Sequence, residues 1–345
     1  MSSVIADPRD PRPASAPVHL VTGFLGAGKT TFLNRLLRDP ALAATLVVVN
    51  EFGAAALDHL LYERLDGEIA LLASGCLCCA LRGDFAESLR GLLARREAGE
   101  LAFRRIVVET SGLADPGPIL HALFADATLA AGTRLANVTT LIDAVNGLAT
   151  LETHGEARRQ AALADRLILT KTDLAPAAPL FAPLARLAPT AEVRAAADFD
   201  AADFLLEFPR SAAGLSPRAV HGEVETRAFR SAAPIAPAHF ERFLALLGAF
   251  AGPGLLRIKG LVATADAPER PWLVQGAQHA IAPPLRLAAW PAGAKETALT
   301  LIGEDIAAAQ TLWDALTGAI ASDAPDWQAL ADTPLAPAKR RGLLD

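Results

Sequence analysis

Apolar residues in the first two hundred positions fall into short continuous runs. Val18-His19-Leu20-Val21-Thr22, Leu46-Val47-Val48-Val49, Ile106-Val107-Val108, Val138-Thr139-Thr140-Leu141-Ile142 and Arg166-Leu167-Ile168-Leu169 are dominated by β-branched and other apolar side chains. Runs without alternation mark strands covered on both faces, as in a parallel sheet. Helical patterns separate them. Phe32, Leu33, Leu36 and Leu37 form one stripe of a helix expected over about 29–38, which Pro40 ends. Further helices are expected over 84–96 and 155–164. Strand, helix, strand in repetition predicts an α/β fold with a doubly wound, mostly parallel sheet.

The rhythm changes after position 207. Pro, Ser, Gly and Ala dominate a stretch expected to be a linker over 208–222. Beyond it, strands are expected over 224–229, 255–264, 272–275, 285–290 and 297–302. Phe240, Phe243, Leu244 and Leu247 behind Pro237 predict a helix, and Ile306, Trp313 and Leu316 a closing one. Strand runs beside two helices predict a smaller α+β domain over 223–328. The first domain is then expected over 18–207, behind a disordered leader (1–17). A solvated tail over 329–345 carries Lys339-Arg340-Arg341.

Composition narrows the classes. The chain is 52% hydrophobic and 20% charged, which allows a large core and argues against global disorder. A net charge of −6 gives no basic footprint for nucleic acid, so no nucleic-acid partner is expected. No apolar run approaches the roughly 20 residues that span a bilayer, and the leader lacks a signal-peptide core. The expected location is therefore the cytoplasm, away from membranes.

Gly23-Phe24-Leu25-Gly26-Ala27-Gly28-Lys29-Thr30-Thr31 lies between the first strand and the first helix. The spacing G-x-x-x-x-G-K-[ST] is that of a phosphate-binding P-loop, in which glycines let backbone N–H groups point at an anion. Gly23, Gly26, Ala27 and Gly28 supply that backbone, and Thr31 follows in the helix. Lys29 is expected to reach the β- and γ-phosphates and the Thr30 hydroxyl to ligate Mg²⁺. The helix adds the positive end of its dipole. This strand-loop-helix context predicts a nucleotide hydrolase.

Two segments narrow the nucleotide. Glu109-Thr110-Ser111-Gly112 follows the 106–108 strand. There Glu109 is expected in the shell of Mg²⁺ or its water, and the Gly112 N–H is expected to sense the γ-phosphate. Thr170-Lys171-Thr172-Asp173 ends a later strand. A carboxylate at Asp173 accepts the paired N1–H and N2–H₂ donors of guanine, which adenine lacks, so GTP/GDP is expected. The Lys171 stem would lie over the base.

Gly75-Cys76-Leu77-Cys78-Cys79 holds all three cysteines. An odd cluster of this kind is no disulfide framework and reads as a metal or redox site, with buried apolar cysteine as the alternative. Three thiolates suit Zn²⁺ and similar metals and leave a fourth position for an exchangeable ligand.

Taken in order, GFLGAGKTT (23–31), VNEFG (49–53), GCLCC (75–79), ETSGLADP (109–116) and TKTD (170–173) resemble the CobW-type metallochaperone GTPases. The later segments 254–260, 274–276 and 301–304 resemble that family's C-terminal domain more loosely. The resemblance implies a GTPase, and its intrinsic turnover is expected to be slow because no residue stands out as an arginine finger. It would bind a transition metal, Zn²⁺ or Co²⁺ foremost, through Cys76, Cys78 and Cys79 and deliver it to a client metalloprotein or cofactor pathway. It also implies a switch loop at 50–53, with Glu51 contacting Mg²⁺ or completing the shell of the transferred metal. Two departures stand out. Thr170 replaces the common Asn, removing an amide that would bond the purine and brace the P-loop. Guanine preference is then expected to rest on Asp173, with weaker affinity. No histidine-rich stretch is present, and Asn146 stands where relatives often have His, which argues against metal storage. A regulatory or assembly GTPase without metal cargo is the alternative reading, and a homodimer is left open.

Overall fold

A computed structural model describes residues 15–50, 69–72, 81–206, 218–221, 224–252, 254–291, 295–304, 306 and 309–319. The first part of the chain runs β1 (Ala16–Gly23), α1 (Lys29–Leu37), β2 (Thr45–Asn50), β3 (Ile69–Leu72), α2 (Leu81–Glu97), β4 (Arg105–Thr110), α3 (Gly117–Ala125) and α4 (Ala127–Gly132). It continues with β5 (Thr133–Asp143), α5 (Gly147–Thr153), α6 (Gly155–Ala162), β6 (Arg166–Thr170), α7 (Ala178–Leu187), β7 (Glu192–Ala195) and α8 (Ala201–Leu205). Its strands form one sheet in the order β3-β2-β4-β1-β5-β6-β7, and every pairing is parallel.

The continuous apolar runs are explained by burial on both faces. Leu46, Val48, Ile106 and Val108 point into a core shared with Leu89, Leu120 and Leu123 of α2 and α3. Their neighbours Val47, Val49 and Val107 point the other way, to Phe32, Leu33 and Leu36 of α1. Strand side chains alternate, so a strand sandwiched by helices must be apolar at every position.

The second part comprises β8 (Arg218–His221), β9 (Val224–Ser231), α9 (Pro237–Phe250), β10 (Leu255–Val262), β11 (Trp272–Ala277), β12 (Ala280–Ile281), β13 (Leu285–Arg286), β14 (Thr297–Gly303) and α10 (Ala309–Thr317). Its sheet is antiparallel, ordered β12-β11-β10-β14-β9-β8, with β13 on β11. Phe243 and Leu247 of α9 and Leu312 and Leu316 of α10 cover it together with Ile258, Val274 and Leu301.

Several expectations shift. The stretch 208–222 contains β8, whose Ala219-Val220 pair with β9 across from Thr226 and Glu225. The expected strand over 285–290 shrinks to two residues. Pro283 and Pro284 precede it and Pro291 follows, and proline cannot donate to a ladder. The strand from Leu255 stops at Val262, because the Ala263 carbonyl accepts from Ile235 and the Ala265 N–H donates back to Ile235. Ile306 is buried but lies before α10.

The two sheets meet across a polar seam. Asp165, just before β6, receives Arg257 Nη2 at 2.8 Å and Lys259 Nζ at 2.9 Å, both from β10. It also accepts the Val138 N–H at 2.8 Å. Gln275 of β11 donates to the Leu135 carbonyl of β5. Leu256, Ala277 and Ile302 extend the core around α3, so apolar contact flanks the charged cluster. No helix among the described residues is long and apolar enough to cross a membrane.

Candidate nucleotide site

The loop between β1 and α1 lies beyond the carboxyl ends of the parallel strands, beside the point where the connections leaving the neighbouring strands β1 and β5 run in opposite directions, to β2 and to β6. Ligands of doubly wound sheets bind at such a crevice. Gly26 and Gly28 have φ of 72° and 86°, values that a side chain disfavours, and Gly28 caps the start of α1. Ala27 is buried and its N–H closes the turn onto Phe24 O at 3.1 Å. Lys29 Nζ reaches back to the start of the loop, donating to Gly23 O at 2.9 Å and Phe24 O at 3.3 Å. Thr31 is exposed on the first turn of α1.

Thr30 and Glu109 are 79 positions apart, and the fold brings them together. β1 and β4 are neighbours, with Val21 opposite Glu109. Thr30 Oγ1 donates to Glu109 Oε1 at 3.1 Å. Glu109 as a whole is only 5% exposed. A hydroxyl and a carboxylate beside a phosphate loop are hard oxygen donors of the kind Mg²⁺ prefers, and these two residues fit that ion. One strand position on, Thr110 Oγ1 donates to Thr22 Oγ1 at 2.7 Å, tying β4 to β1 beneath the site.

Gly112 rests directly on the P-loop. A Cβ there would stand 2.7 Å from the Leu25 N and 2.8 Å from its Cα, so only glycine allows this approach. The turn that follows is gripped by α6. Gln160 Nε2 donates to Gly112 O at 3.1 Å and Ala114 O at 2.9 Å, while its Oε1 has no hydrogen-bond partner among the described residues. Next to it, Arg159 faces Asp115 at 3.6 Å and pairs with Glu304 at the end of β14.

Thr170 sits at the end of β6 against the P-loop. Its Oγ1 donates to Ala27 O at 2.8 Å, and its methyl carbon would stand 3.9 Å from a Cβ placed on Gly28. The brace that replacement of Asn was expected to remove is therefore present, made by a hydroxyl in place of an amide. Lys171 follows in the left-handed region at φ 55°. Its Nζ donates to Asp143 Oδ2 at 2.6 Å. Asp173 is exposed in the same loop.

Motif reading passed over Gln160, Arg159 and Asp143. Asp143 ends β5 beside the 170–173 segment, and an acid at that strand end was the available signal. Cys76, Cys78, Cys79 and Glu51 lie outside the described residues. Among the described residues no group of three or more His, Cys, Asp or Glu is placed to hold a metal.

Residues 17–197 match the family profile described as "CobW/HypB/UreG, nucleotide-binding domain". Residues 224–320 match the "Cobalamin synthesis protein cobW C-terminal domain". The chain is 39% identical over 158 residues to the zinc chaperone YjiA of Escherichia coli, covering 46% of this chain and 50% of that protein. It is 35% identical over 165 residues to zinc-regulated GTPase metalloprotein activator 1 of Schizosaccharomyces pombe, covering 46% of this chain and 39% of that one. These matched stretches span half or less of the curated relatives. The crystal structure of Zn(II)-bound YjiA GTPase from E. coli superposes with a TM-score of 0.61 at 26% identity, covering 88% of this chain and 98% of that one. With its nucleotide-binding profile matched over more than half of its length and the C-terminal profile following in order, the chain belongs to the CobW/HypB/UreG family.

Proposed function

We propose that this chain binds GTP with Mg²⁺, hydrolyses it slowly, and uses the nucleotide state to control a transition metal carried on Cys76, Cys78 and Cys79. The observation that carries the nucleotide half is the Thr30–Glu109 pair beside a glycine-cradled loop. Lys29 and the loop N–H groups bind the phosphates. Mg²⁺ would neutralise charge on the β- and γ-oxygens. Glu109 would hold that ion's shell, and the Gly112 N–H would register the γ-phosphate. Asp173 selects guanine and Lys171 covers the base. The names of the relatives, a zinc chaperone and a zinc-regulated activator, favour Zn²⁺ as cargo, with Co²⁺ the second choice. The cargo is delivered to a client metalloprotein or cofactor pathway. The two-domain division expected from the sequence is part of this proposal, with the first domain begun by β1 at Ala16 and the second by β8 at Arg218.

Nucleotide state can drive transfer only if metal affinity differs between the states. Titrating Zn²⁺ and Co²⁺ into the protein with a non-hydrolysable GTP analogue, and again with GDP, should give dissociation constants at least about tenfold apart. Equal constants would remove the gating. Cys76→Ser, Cys78→Ser and Cys79→Ser should each weaken metal binding while GTP binding persists. Glu109→Gln should lower kcat by about 100-fold with little change in GDP affinity.

A further inference from the structure

Lys171 is the one member of the base segment whose backbone is strained. Left-handed φ in a residue with a Cβ is unfavourable and persists only where the surroundings enforce it. Here they do so from two sides. The Lys171 carbonyl accepts the Leu174 N–H at 3.0 Å and the Ala175 N–H at 3.2 Å, closing a turn behind it. In front, the ammonium is held by Asp143 Oδ2 at 2.6 Å.

Asp143 is itself fixed. Its Oδ1 accepts the Val145 N–H at 2.7 Å and its Oδ2 the Asn146 amide at 3.2 Å. One residue on, the Ala144 N–H donates to Thr170 O at 2.9 Å. Burial alone would raise the Asp143 carboxyl, but the Lys171 hydrogen bond, the Val145 N–H, the Asn146 amide and the Lys171 charge carry it below its ordinary value. The β5–α5 loop and the 170–173 loop are thereby fastened into one wall beside the P-loop. On these same loops Val145 is 49% exposed and Leu174 71% exposed, which is apolar surface of the kind a purine ring covers.

A lysine that packs its stem along a base must have its ammonium held elsewhere. Otherwise ordering four rotatable bonds opposes binding. We propose that Asp143 is a positioning residue of the base site: it tethers the Lys171 ammonium, so the stem stands preformed as the surface against which the purine packs. This rests on the guanine-nucleotide reading of 170–173 given above. It assigns the lysine's contribution to its methylenes and assigns its charge to the tether.

The test is a double-mutant cycle on the full chain, with GDP and ADP binding measured by calorimetry and GTP turnover by phosphate release. Asp143→Asn should weaken GDP binding about tenfold. It should raise KM for GTP by a similar factor and leave kcat unchanged, because the phosphate end is untouched. In a Lys171→Met background, Asp143→Asn should add nothing. Additive losses in the double variant, an unchanged KM, or a fall in kcat alone would each overturn the assignment. Should Asp143→Asn fail to fold, Lys171→Met alone decides, since Lys171 is a third exposed: a similar rise in KM at constant kcat is required. If the parent protein prefers ADP, the guanine reading fails. The cycle is then read with ADP, where the same non-additivity still tests the tether.

Discussion

Two aspartates in this fold bind lysine, and they do so in opposite settings. Asp165 is sealed in the seam between the sheets, with Arg257 and Lys259 brought from another domain and a backbone N–H beneath. Asp143 stands at a strand end beside the P-loop, with one lysine, one amide and one N–H from its own neighbourhood. In the seam, three charged side chains have left water, and each depends on the others. At the strand end, Lys171 keeps a third of its side chain in solvent. The same ion-pair chemistry locks a domain interface in one place and presets a ligand surface in the other. Burial, rather than the partners, decides which.

The sharpest way to break the comparison is Asp165→Asn, which removes the carboxylate shared by Arg257 and Lys259. It should cost about 3–5 kcal/mol of stability in urea unfolding, lowering Tm on the order of 10 °C. Replacing Arg257 and Lys259 by Met in the same variant should recover part of that loss, because neither desolvated cation then remains. Next in size is an acid effect. Burial, reinforced by the charges of Arg166 and Arg105, lowers His19 to about 3. The unfolded chain therefore binds a proton at His19 below about pH 6.5 that the folded chain refuses. Stability present above that pH should fall by several kcal/mol as pH drops from 6.5 towards 3. His19→Asn should flatten that slope in denaturant titrations between pH 6.5 and 4.5. Asp165, held low by its two cations against the opposing effect of burial, keeps its contribution above about pH 4 and loses it only in stronger acid.

Smaller effects belong to the nucleotide side. Asp143→Asn should change stability by about 1 kcal/mol or less, far below Asp165→Asn, because its partner can return to water. An equal loss at both sites would erase the distinction. Thr170→Val removes the hydroxyl on Ala27 O and should weaken GDP binding about fivefold, about 1 kcal/mol. Thr170→Asn should bind at least as well as the parent if an amide can span the same gap, as calorimetry would show.

Five of the seven strands of the first sheet were legible because two-sided burial writes itself into consecutive residues, as in Leu46-Val47-Val48-Val49, whereas the four-residue strands β3 and β7 were not. The P-loop was legible because its function is carried by backbone geometry within nine residues. What was hidden is long-range. Asp143 and Lys171 are 28 positions apart, Asp165 and Lys259 are 94 apart, and neither spacing leaves a local pattern. Short strands also escaped. β8 lay in a stretch whose Pro and Ser content masked Ala219-Val220, and 285–290 was too proline-bound to extend. The threonine at 170 misled in its own way. A residue-by-residue comparison registers a lost amide, whereas the fold shows a hydroxyl performing the bracing half of its work.

Arg159 and Gln160 are consecutive on α6, yet they serve different masters: the glutamine clasps the carbonyls of Gly112 and Ala114, and the arginine links Asp115 to Glu304 on the far sheet. Consecutive residues of a helix share one rigid backbone frame. A displacement of the 112–115 turn must therefore strain both grips together. The end of β14, far along the sequence from any nucleotide motif, stands only two side chains away from that turn.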